Sequence, residues 1–108
     1  MKANTPRQKA IHKALRALIP LVPYGDFVAI AEAARGARMR DLSPVDGAFL
    51  ATVAHIRHRM TDYDSLLAEG YDQDSARFFV ADTIDDRLRE WGAPRGLNAQ
   101  VPDDDGVT

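Results

Sequence analysis

Ser43-Pro44-Val45-Asp46 constrains this chain more than any other stretch. It sets a capping hydroxyl, a proline at the first helical position and a carboxylate at the third, close to a capping box. Behind it Val45, Phe49, Val53, Ile56 and Met60 recur in steps of four, four, three and four, the spacing of one helix face. A strand cannot use that spacing, because its side chains alternate sides with a period of two. The capped segment is therefore a long helix with one apolar stripe. The opposite side of the same wheel holds Gly47, Ala51, Ala54 and His58, small residues where a solvated face would carry Lys, Glu or Arg. That predicts a second packed face, covered by another helix of this chain or by a second copy.

The same punctuation divides the rest of the chain. Thr5-Pro6 opens a first helix with Ile11, Ala14, Leu15 and Leu18 on one side, and Pro20 and Pro23 stop it. A second, alanine-rich helix over residues 26–35 places Phe27, Ile30, Ala31 and Ala34 together, with Gly36 as its C′ residue. Thr61 opens a short fourth helix with Leu66 and Leu67 facing inward and Gly70 closing it. Asp72 caps a fifth, in which Ala76, Phe79, Val80, Ile84, Leu88 and Trp91 repeat until Gly92 and Pro94. Phe78 stands off that stripe beside Arg77, a candidate for contact with a second neighbour or a partner chain. No segment reads as a strand. The expected fold is all-α, a compact orthogonal bundle of about five helices over residues 1–94, with a disordered acidic tail over 95–108.

Cysteine is absent, so disulfides and thiolate metal sites are excluded and stability must come from an apolar core. No apolar run approaches the roughly 18 residues that cross a bilayer. Arg16, Pro20 and Pro23 interrupt the basic N-terminal region where a secretory leader would be apolar. These features point to a cytoplasmic chain with no membrane association. The net charge of −2 conceals an asymmetry. Residues 1–60 hold ten Lys/Arg and four Asp/Glu, a balance of +6, whereas 61–108 hold four and twelve, a balance of −8. A basic half can meet a polyanion, or it can be neutralised by the acidic half.

Two constellations carry candidate chemistry. His55, His58 and Asp62 fall within about 60° of one another if the third helix continues that far. Two imidazoles and a carboxylate suit a divalent metal or acid–base work, although His-x-x-His lacks the zincin spacing. The plainer reading is that the histidines bond neighbouring helices and Asp62 stabilises a helix start. Arg35, Arg38 and Arg40 precede the third helix, and Arg57 and Arg59 end it. They form a candidate polyanion site, against which stands internal pairing with Asp72, Asp74, Asp82, Asp85, Asp86 and Glu90. Serine occurs at Ser43, Ser65 and Ser75, all near helix starts, with no arrangement for a nucleophile.

His55-Ile56-Arg57-His58, Thr61-Asp62-Tyr63-Asp64, Leu66-Leu67, Ala76-Arg77 and Trp91 resemble the signature of a domain-of-unknown-function family widespread in bacteria, with fungal relatives. The resemblance begins near Leu42-Ser43-Pro44 and covers about half the chain. It implies a conserved domain and carries no activity, substrate or cofactor. His55, Arg57, His58, Asp62, Tyr63 and Asp64 form the candidate functional cluster, with no catalytic residue, metal or cofactor assigned. The expected function is a non-enzymatic interaction or regulatory module, with a protein partner or a homodimer. Behind it rank a nucleic-acid-binding accessory protein and a metal-dependent enzyme using His55, His58 and Asp62.

Overall fold

Caps decide where the helices begin and end in the computed structural model, which describes residues 5–97. Helix α1 spans Pro6–Leu18, and the Thr5 hydroxyl accepts from the Gln8 N–H at 3.1 Å. Helix α2 spans Tyr24–Ala34, starting directly after Pro23 and thus two residues before the expected 26. Gly36 is not its left-handed cap. It has φ −66° and leads into a 3₁₀ turn, Ala37–Met39, that sequence spacing did not indicate. Helix α3 spans Pro44–Met60, with the Ser43 hydroxyl accepting from Asp46 N–H at 3.1 Å.

Thr61 ends α3 instead of opening the next helix. Its hydroxyl donates to the Arg57 carbonyl and accepts from the Tyr63 N–H, so α4 starts only at Tyr63–Ala68, with Asp62 as its cap residue. Helix α5 spans Gln73–Glu90, its first turn held by Asp72, which accepts from Ser75 N–H at 2.7 Å. Gly92 closes it at φ 84°, and a side chain there would meet Pro20 Cγ at 3.0 Å. Nearby, the Leu21 N–H donates to the Trp91 carbonyl at 2.9 Å, tying the α1–α2 connection to the end of α5.

Helix α3 is central, with α1, α2, α4 and α5 all in contact with it. Phe49, Val53 and Ile56 are buried on the expected stripe, while Met60 is half-buried. Val45 is the exception at 62% exposed. In the first turn it reaches only the rim, where it lines a shallow hollow with Leu18 and Phe49. The opposite, small-residue side is packed only in its first half: Gly47 and Ala51 are buried, whereas Ala54 is half-buried and His58 exposed. This chain covers that half, for a Cβ on Gly47 would lie 3.9 Å from both the Ala34 carbonyl oxygen and Met39 Cβ. Buried Thr52 satisfies its hydroxyl by donating to the Ala48 carbonyl at 2.7 Å.

On α5 the buried ladder is Ala76, Val80, Ile84 and Leu88, continued by Trp91. Phe79, expected in that stripe, is 57% exposed. Steps of four fix the inward direction, and Phe79 lies about 120° away from it on the helical wheel. Beyond Gly92 the chain makes further contacts with the helices. The Arg95 guanidinium lies 3.8 Å over the Phe49 ring, and the Leu97 N–H donates to Asp85 at 2.7 Å. Residues 98–108, the rest of the expected tail, lie outside the described residues. Among the described residues there is no strand, and no helix is long and apolar enough to cross a membrane.

Two measurements test this packing. Phe49→Ala should cost about 3 kcal/mol, the lower part of the range for a buried phenylalanine. Val45→Ala on the same helix face should cost under about 0.5 kcal/mol, because its side chain is outside the core. Equal thermal shifts for the two variants would refute the assignment.

His12 supplies a pH-dependent test. It is buried in α1, edge-on to Phe27 at 5.2 Å, and its Nε2 has no hydrogen-bond partner. Burial, and then the nearby Arg16, hold its pKa below the ordinary histidine value. The unfolded chain therefore takes up this proton first, and stability falls as pH drops below about 6.5 towards the lower folded value. His12→Leu should flatten this decline between about pH 7 and 5.5; an unchanged slope in denaturant titrations would count against it.

A candidate anion-binding groove

The C-terminal half of α3 is less covered than its N-terminal half, and the uncovered part forms one wall of a groove of about 730 Å³. Ala51, Ala54, His55, Arg57, His58 and Arg59 form that wall. The 3₁₀ turn contributes Arg38 and Met39, α4 contributes Tyr63 and Leu67, and α5 contributes Gln73 and Arg77. Four arginines and two histidines thus face the groove, and no Asp or Glu lines it.

Part of this charge has a local cause. Arg57, His58 and Arg59 occupy the last turn of α3, where the helix macrodipole favours cations. That cause does not reach Arg38 or Arg77, which come from other elements to the same hollow. Arg57 is the most constrained of the set. Its guanidinium lies 5.5 Å from the centroid of the buried Tyr63 ring, and its Nε is enclosed without a hydrogen-bond partner. Desolvation, followed by repulsion from Arg77, lowers its pKa from the ordinary arginine value. It remains a cation at neutral pH, as arginine does in proteins.

Internal neutralisation by the acidic half is not what the structure shows for these arginines. Glu90 accepts from Arg87 at 3.1 Å, and Asp86 accepts from Arg89 at 2.9 Å, both within α5. Asp72 is taken by its cap and Asp85 by the Leu97 N–H. Such partners are one helix turn or one backbone contact away, so the carboxylates reach them with little ordering. No ion pair among the described residues links Arg38, Arg57, Arg59 or Arg77 to a carboxylate.

The structure splits the proposed polyanion set. Arg38, Arg57 and Arg59 meet in the groove, Arg35 lines a separate hollow with Arg7 and Glu32, and Arg40 lies exposed outside the groove. Arg77 was missing from the sequence-derived set. Its signal is angular: it sits about 40° from the buried ladder of α5, at the border where a long side chain reaches along the seam with α3.

The histidine cluster divides too. His55 Nε2 lies 2.8 Å from Asp26 on α2, whereas His58 Nδ1 lies 2.8 Å from Asp64 on α4. Asp62 remains at the α4 cap, because the helix breaks at Thr61 and turns it away from the line of α3. Among the described residues no three His, Cys, Asp or Glu side chains gather to hold a metal ion. His55, Arg57, His58 and Tyr63 therefore reach the groove, and Asp64 touches it only through His58.

A family model described as "Uncharacterized conserved protein (DUF2293)" matches residues 14–92. The match extends back through α2 into α1, further than the half-chain resemblance near Leu42, and it contains all four groove arginines. No curated protein and no solved structure is matched.

The two histidine pairs differ in burial and so in expected energetic weight. Asp26→Ala leaves the nearly buried His55 without its partner and should cost roughly 1–3 kcal/mol. Asp64→Ala breaks a pair exposed on both sides and should cost under about 1 kcal/mol. Chemical denaturation of both variants checks the ranking, and a reversed order would contradict it.

Proposed function

Because the chain belongs to the DUF2293 family, whose description names no activity, we propose its function from the groove: it is a non-catalytic binding module for a phosphate-bearing polyanion, a nucleic-acid backbone. One observation carries this reading. Arg57 is desolvated beside Arg77 with an enclosed Nε and no acidic neighbour in the groove. Packing two cations together without a counter-charge raises the energy of the free protein, and a phosphate entering the groove relieves it. Guanidinium groups match phosphate bidentately, and ordered waters can serve the remaining positions.

The groove is open to solvent, and its four arginines come from three separate elements, the 3₁₀ turn, α3 and α5. This supports an interaction module over an enzyme. The paired histidines act in it as fixed supports: His55 anchors the wall to α2 through Asp26, and His58 anchors α4 through Asp64.

Salt dependence is the test. If four arginines neutralise about four phosphates, affinity for duplex or single-stranded oligonucleotides should fall roughly 50- to 150-fold between about 50 and 200 mM salt. The double variant Arg57→Ala, Arg77→Ala should reduce the logarithmic slope by roughly half. Arg38→Ala with Arg59→Ala, two exposed positions outside the core, should do the same without changing the melting temperature. Anisotropy titrations showing no binding at about 50 mM salt, or a slope indifferent to both double variants, would end the proposal.

A further inference from the structure

The outer face of α5 carries a feature the groove does not use. Phe78 is 77% exposed, and Phe79 and Tyr71 are exposed beside it at 57% and 43%. The three rings form one assembly: Phe79 stands edge-to-face with Tyr71 at 5.5 Å and with Phe78 at 5.9 Å. Single exposed apolar residues are ordinary, but a contiguous aromatic patch marks an interaction surface. Carboxylates flank it. Asp74 and Asp82 lie four residues before and after Phe78, on the same side of the helix and about 12 Å apart along its axis. Both are exposed, and no ion pair among the described residues engages either. The helix dipole accounts for Asp74 in the first turn, but it has no hold on Asp82 in the middle.

We propose that this face of α5 docks a basic polypeptide segment, with an aliphatic or aromatic anchor on Phe78 and Phe79 and two Lys or Arg side chains on Asp74 and Asp82. Charge complementarity selects this occupant. In a second copy paired antiparallel through α5 about Phe78, Asp82 would face the copy's Asp74, like charge against like. A nucleic acid stacking its bases on the rings would bring phosphates against the same carboxylates. A basic segment with one apolar residue between two cations meets neither obstacle, and Phe supplies a rigid anchor with little side-chain entropy to lose. The proposal is independent of the groove reading, since it uses none of the four groove arginines.

The probe is a synthetic amphipathic peptide of Leu and Lys, compared with its Leu and Glu counterpart and followed by calorimetry and by amide shifts in the full chain. The Lys peptide should bind with shifts concentrated over residues 71–82, and the Glu peptide should not bind. Phe78→Ser, and separately Asp74→Asn with Asp82→Asn, should each weaken the Lys peptide by about tenfold or more. Phe78→Ser should leave the melting temperature unchanged, and the asparagine pair should lower it by only the few degrees that loss of one first-turn carboxylate allows. Arg57→Ala with Arg77→Ala should leave peptide affinity intact, so failure of the groove reading and failure of this one are told apart. Equal affinity in all variants, shifts elsewhere, or no binding overturns the proposal. A wild-type dimer that Phe78→Ser makes monomeric would assign the face to a second copy. Loss of oligonucleotide affinity in Phe78→Ser would assign it to nucleic acid, and either result also overturns it.

Discussion

The rest of the structure depends on α3 being buried along two sides at once. Phe49, Thr52, Val53 and Ile56 fill one side, and Gly47, Ala48 and Ala51 lie against neighbouring elements on the other. The small residues permit close approach, to the point that the Ala34 carbonyl and the Met39 side chain border the space a Cβ on Gly47 would take. A glycine inside a helix sacrifices about 1 kcal/mol relative to alanine. The neighbours of Gly47 at 3.8–3.9 Å would admit a methyl group in ordinary contact, so close approach does not demand glycine there. Because both sides of its N-terminal half are occupied, α3 leaves its polar chemistry to the C-terminal half. There Ala54 and His58 still belong to the small-residue side, but they line the groove instead of a packed seam.

Charge follows the same division. The carboxylates of α5 are engaged close to home, in a cap, in turns of their own helix and with the Leu97 amide. Each of these contacts is short in sequence or backbone-directed, so it forms without drawing distant arginines across the molecule. The groove arginines are left concentrated, and the uncommitted carboxylates Asp74 and Asp82 point away beside the exposed rings. A chain with a net charge of only −2 thereby carries two surfaces of opposite character on adjacent parts of one helix. Arg77 faces the first surface and Phe78 the second.

Much of this was legible in the sequence because caps and stripes are local. Thr5-Pro6, Ser43-Pro44 and Asp72 each placed a helix start to the residue, and the steps of four on α3 and α5 identified most of the core. What escaped was set by neighbours. Val45 shares a wheel direction with Phe49, but direction says nothing about whether another helix extends that far. Phe79 looked like core because it is apolar at a tolerable spacing, while the true ladder of Ala76, Val80, Ile84 and Leu88 had already fixed the inward direction. Gly36 followed an alanine-rich helix, yet a negative φ shows that the 3₁₀ turn, not a left-handed cap, reverses the chain. Arg77 borders the buried ladder of α5, but the arginines it meets in the groove lie 18 or more residues away in sequence, so no local pattern groups it with them.

The break at Thr61 connects these levels. Continuing α3 would have carried Asp62 onto the histidine face and assembled two imidazoles with a carboxylate. Instead the Thr61 hydroxyl bonds the Arg57 carbonyl and receives the Tyr63 N–H, closing α3 and opening α4 within three residues. That turn buries the Tyr63 ring beneath the Arg57 guanidinium and edge-on to His58 at 5.4 Å. An aromatic face stabilises a cation without neutralising it, which a carboxylate in the same place would do. The short hydroxyl-mediated turn therefore determines the chemistry of the groove: it removes Asp62 from the site and supplies Tyr63, so Arg57 is held in position with its charge still available.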